Sequence, residues 1–141
     1  MLNKILNPDL FHGGNKEKNF FEGWYFKLVD KEGKNSYALI PGVFLGSRKE
    51  YSHSFIQILH GNEALYLYKK YKVEDFIWHE GKFAINVKDN IFSLKGIKVD
   101  INDSVISVKG KVKFNNIVKW PNTILNPGSM GFSIFMDMGT V

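Results

Sequence analysis

The feature that most constrains this chain is a two-residue rhythm of apolar and polar side chains. From Phe21 onward, Trp24, Phe26 and Leu28 alternate with Tyr25, Lys27 and Val29. Phe83, Ile85 and Val87 oppose Lys82, Asn86 and Lys88. Ile97, Val99 and Ile101 oppose Lys98, Asp100 and Asn102, and Ile106, Val108, Val112 and Phe114 oppose Ser107, Lys109, Lys111 and Lys113. Successive strand side chains point to opposite faces, so a period of two is what a sheet with one face on a core requires.

Polar turns punctuate the rhythm: Asp30 to Asn35, His60 to Glu63, Asp89-Asn90 and Asn102-Asp103. They predict strands from Phe21 to Val29, Ser36 to Leu45, His53 to Leu59, Ala64 to Tyr71, Phe83 to Val87, Ile91 to Leu94, Ile97 to Ile101, Ile106 to Phe114 and Gly131 to Met138. Pro41-Gly42 interrupts the second, where the missing N–H predicts an edge, a bend or a bulge. Asn7 to Phe11 reads as one helical turn, and His12 to Lys16 as a loop. The pattern predicts an all-β fold with little helix, an antiparallel meander closed into a barrel or folded into a sandwich. No helical period separates the strands, which argues against parallel α/β architecture. With 141 residues the chain has the length of one domain.

Composition excludes several chemistries. With 0 Cys there is no disulfide, thiolate nucleophile or cysteine metal site. No apolar run is long enough to span a bilayer and no signal-peptide pattern opens the chain, so a cytoplasmic location is expected. Net charge is 19 − 14 = +5, and Arg48 is the only arginine. Arginine is preferred for bidentate contact with phosphate and guanine, so no nucleic-acid partner is expected. The Lys109, Lys111 and Lys113 row reads as the solvent face of a strand. No phosphate-cradling glycine motif occurs. His12, His53, His60 and His79 lack metal-ligand spacing, and the odd separation of His53 and His60 predicts opposite faces. Neither a metal nor a cofactor is expected.

Two segments depart from ordinary strand sequence. In Phe20-Phe21-Glu22-Gly23-Trp24-Tyr25-Phe26-Lys27 one carboxylate sits among five aromatics. Withdrawn from water, Glu22 favours its protonated form and becomes a usable general acid, with the Trp24 π face nearby to stabilise a cation. Alternatively, Glu22 faces solvent and the aromatics are core. The second segment, Trp120 to Gly131, carries Pro121, Pro127, Gly128 and Gly131. It reads as a rigid loop, either a structured connection or the lining of a pocket mouth.

Together, Phe21-Glu22-Gly23-Trp24-Tyr25-Phe26-Lys27, His53-Ser54-Phe55-Ile56-Gln57 and Trp120-Pro121 … Pro127-Gly128-Ser129-Met130-Gly131 resemble the tocopherol cyclase-like family. The match covers nearly all of this chain but only the N-terminal half of a family member, so a second barrel domain or a homodimer is an expected partner. The resemblance implies a lipocalin-like barrel and acid catalysis on an isoprenoid double bond, without metal or cofactor, in a hydrophobic small molecule. It assigns catalysis to Glu22, Trp24 and Asp137, the last standing where the family usually has glutamate. It assigns substrate contact to Tyr25, Phe26, His53, Phe55, Gln57, Trp120 and Met130. The competing expectation is a non-catalytic barrel that binds a hydrophobic ligand.

Overall fold

The computed structural model describes Asn7 and residues 9–118. It is all-β, built from ten strands and two one-turn 3-10 helices among the described residues. The strands are β1 (Phe20–Gly23), β2 (Phe26–Val29), β3 (Ser36–Leu45), β4 (His53–His60), β5 (Leu65–Tyr71), β6 (Phe76–Trp78), β7 (Ala84–Val87), β8 (Asn90–Ser93), β9 (Gly96–Ile101) and β10 (Val108–Lys113). The helices, Lys49–Tyr51 and Val73–Asp75, precede β4 and β6. The expected strand from Gly131 to Met138 lies outside the described residues.

Every strand pair is antiparallel. The first sheet runs β1-β3-β4-β5, with β2 also on β3, and the second runs β6 to β10 as an uninterrupted meander. No ladder joins the two sheets among the described residues, so they stand as two separate layers.

β1 and β2 lie on one line. Gly23 is opposite Gly42 and Phe26 is opposite Leu39, so the register is the same on both sides of the gap. In between, the Trp24 N–H donates to the Pro41 carbonyl at 3.0 Å. Proline has no N–H with which to return that bond, and the ladder lapses there. The expected edge or bulge at Pro41 is therefore corrected. β3 is a central strand, paired on both sides, and Pro41 keeps its register opposite Ile56 of β4.

The core forms where the inner faces meet. Leu39, Ile56 and Ile58 from the first sheet cluster with Ile85, Val87, Phe92, Ile97, Val99 and Ile101 from the second. Burial of β-branched and aromatic side chains of this size contributes about 1.5–3 kcal/mol each. Aromatic rings extend the core: Phe26 touches Phe83, Phe92 and Phe114, at centroid distances of 5.9, 5.6 and 6.3 Å. One polar strap crosses between the sheets. Lys69 Nζ on β5 donates to the Asn102 carbonyl at 2.7 Å and to the Asp103 carboxylate at 3.0 Å, just past β9.

Candidate functional site

Alternation along β1 decides where Glu22 points. It sits opposite Val43, which is 2% exposed, while Phe21 and Gly23 take the other face. The end of the core above Glu22 is closed by the N-terminal segment. The Trp24 indole Nε1–H donates to the Asp9 carbonyl at 2.9 Å. The His12 backbone N–H donates to Glu22 Oε2 at 2.9 Å. His12 Nδ1 lies 2.5 Å from Glu22 Oε1, and the two side chains are 12% and 17% exposed. The carboxylate of Glu22 has two partners from one residue, the His12 backbone N–H and the His12 ring. Glu22 is thus largely withdrawn from solvent, but it is held by an imidazole as well as by aromatics.

Phe11, one residue before His12, plugs the same end. Its ring meets Phe20, Trp24, Phe76 and Trp78 at centroid distances of 5.9, 6.1, 5.2 and 5.1 Å. Trp24 also stacks on Phe76 and tilts against Phe83. A carboxyl–imidazole pair beside electron-rich rings has the parts needed to move a proton and to tolerate a nearby cation.

The other expected site residues divide. Phe26 faces the core with Glu22 and Trp24, whereas Tyr25 is 64% exposed. His53, Phe55 and Gln57 project from the opposite, outer face of the first sheet, because Ile56 and Ile58 between them take the core. The residues to which the resemblance assigns substrate contact thus lie on two sides of one sheet. On the outer face, Phe55 is fully buried between stacked Phe21 and Tyr68. His53 Nδ1 lies 3.2 Å from the Tyr51 carbonyl, which can only accept, so Nδ1 is the donor there. His53 Nε2 is hydrogen-bonded to the Tyr68 hydroxyl at 2.9 Å. Burial pushes the Tyr68 phenol above its ordinary value. Gln57 Oε1 accepts from the Tyr66 hydroxyl at 3.4 Å. His60 faces inward, so the expected opposition of His53 and His60 holds. Trp120, Met130 and Asp137 lie outside the described residues.

Sequence reasoning missed His12, Phe11 and Asp9. Their only signal was a lone histidine between a phenylalanine and a glycine pair in a segment read as a loop.

An open cleft of about 380 Å³ lies elsewhere, between the β2–β3 turn and β10. Lys27, Leu28, Val29, Asp30, Asn35, Tyr37 and Val112 line it, and none is an expected site residue. Asp30 there accepts from the Asn35 side-chain amide at 2.7 Å, which with backbone donors holds its carboxyl below the usual range. Among the described residues no group of three or more His, Cys, Asp or Glu is placed to hold a metal ion. No helix among them is long and apolar enough to cross a membrane.

No family model, curated protein or solved structure matches this chain.

Proposed function

We propose that the chain is a tocopherol cyclase-like protein that protonates an isoprenoid double bond, with the Glu22–His12 pair as the proton source. The observation that carries this reading is the 2.5 Å contact between Glu22 Oε1 and His12 Nδ1, inside the wall formed by Phe11, Phe20 and Trp24. In the reaction a proton passes from the pair to one alkene carbon, leaving a tertiary cation on the other. The phenol oxygen of a prenylated quinol closes on that cation and its proton returns to the pair. No electrons are exchanged with a partner, so the cycle restores the acid. Water captures the same cation if the product is a tertiary alcohol. The aromatic faces lower the cost of the cation, and exclusion of water keeps the first outcome dominant.

In this reading the two sheets are walls of a lipocalin-like barrel, completed by a second barrel domain or a second copy, and the protein works in the cytoplasm. Trp24 and Phe26 line the substrate side. The test is product mass spectrometry after incubation with prenylated quinols and carotenoid precursors. Glu22→Gln should abolish turnover and leave substrate binding nearly intact. Equal turnover in that variant removes Glu22 from the mechanism.

One observation favours a second reading, a binding module without catalysis. The Trp24 indole N–H donates to the Asp9 carbonyl, and its ring is packed against Phe76 and Phe83. An indole so engaged is also what a core requires. Quenching of Trp fluorescence by isoprenoids, with no product formed, would favour this alternative.

A further inference from the structure

Five strands of the second sheet each place one residue in a single row across its outer face. Ile77 is opposite Asn86, Asn86 opposite Ile91, Ile91 opposite Lys98, and Lys98 opposite Lys111. Ile77 and Ile91, 52% and 39% exposed, flank Asn86 at the start of the row, and two lysines end it. Like charges directly opposite each other disfavour a sheet. Yet Lys98, Lys111 and the neighbouring Lys113 are exposed, and none forms an ion pair among the described residues. Asp100, the carboxylate on this face of β9, is already taken by Lys109 at 2.7 Å. The result is an uncompensated positive edge beside two bare apolar side chains.

We propose that this outer face docks peripherally on an anionic lipid bilayer, the lysines meeting the headgroups and Ile77 and Ile91 entering the interface. Charge complementarity selects an acidic partner. The aligned isoleucines select a bilayer over a nucleic acid, as does the lack of arginine on this face, since Arg48 lies beside β4 in the other sheet. The inference stands apart from the Glu22 chemistry and survives if that chemistry fails.

The test is flotation of the full chain with phosphatidylcholine vesicles, with and without phosphatidylserine. Binding should appear only with phosphatidylserine and weaken as salt rises, because exposed charges are screened. Replacing Lys98, Lys111 and Lys113 together by Gln should weaken it about a hundredfold. Ile77→Ser with Ile91→Ser should weaken it as well, while Lys31→Gln with Lys49→Gln should leave it unchanged. All five substituted row and edge positions are exposed, so unchanged unfolding midpoints will show that the fold is kept. Equal binding to neutral vesicles, or a triple variant that binds like the parent, overturns the proposal. So does tighter binding to duplex oligonucleotide than to anionic vesicles, which would assign the face to nucleic acid.

Discussion

Phe55 lies directly over Gly42 of the neighbouring strand. A methyl group placed on Gly42 would overlap the Phe55 ring and come within 2.5 Å of the Glu22 carbonyl oxygen. The fully buried ring fills the space that two facing glycines, Gly23 and Gly42, leave open. Gly42→Ala should therefore destabilise the protein by about 1–3 kcal/mol, the usual cost of overpacking. Phe55→Ala should cost about 3–5 kcal/mol by leaving a cavity. Phe55→Leu in the Gly42→Ala background should recover part of the loss, but not all, because the backbone overlap with Glu22 remains. Urea midpoints measure all of this; strictly additive losses would contradict the ring overlap.

The His12–Glu22 pair should behave as a coupled unit. His12→Ala and Glu22→Ala should each cost about 1–3 kcal/mol, because each leaves a part-buried polar partner unsatisfied. The double variant should cost less than the sum. Glu22→Gln should be milder than Glu22→Ala, since its amide oxygen can still accept from the His12 backbone N–H. A double-mutant cycle in urea reads the coupling, and zero coupling would mean the pair is not formed in solution.

Alkaline pH should loosen the fold through Tyr71. Burial pushes this phenol above its ordinary value of 10.0, with nearby Asp103, Asp75 and Asp89 adding to the effect against a bond from Asn90. A raised folded value means that the stabilisation is complete below about pH 10 and is lost as pH rises through the folded value. Tyr71→Phe cannot ionise. Its denaturant midpoint should fall less steeply than the parent's above about pH 10. Parallel curves for the two proteins would argue against this origin.

Acid pH acts through Asp103. The Lys69 ammonium bonded to its carboxylate holds that group below its ordinary value of 3.8, helped by the Val105 backbone N–H. A lowered folded value gives stability that is present above 3.8 and lost as pH falls through the folded value. Asp103→Asn should be the less stable protein at neutral pH and should show a flatter acid limb. High salt should shrink the difference, because the pair is partly exposed. Equal acid limbs in thermal melts would dismiss the strap as a pH-sensitive contact.

Most strands were legible because their patterning is local. The run from Ile97 to Ile101 alternates cleanly, and β9 ends at the predicted residue. β6 was not legible: three residues, Phe76, Ile77 and Trp78, are too few to show a period. The division between β1 and β2 came from a proline on the neighbouring strand, which no local window over Trp24 contains. The site was half legible. A carboxylate among aromatics drew attention to Glu22, but pairing with His12 depends on the N-terminal segment folding back, a tertiary event. Likewise, spacing put His53, Phe55 and Gln57 on one face without saying which face the core would choose. Partnering of Ile56 and Ile58 with the second sheet settled that.

The imidazole beside Glu22 and the ring that caps it both come from the short stretch ahead of the first strand. A version trimmed to start after Gly14 would keep the residues of every strand described, yet it would lose half of its proposed acid together with the Phe11 ring that packs on Phe20, Trp24, Phe76 and Trp78. Truncation libraries and affinity-tag placement would then report on chemistry and packing together, because both meet at the front of the polypeptide.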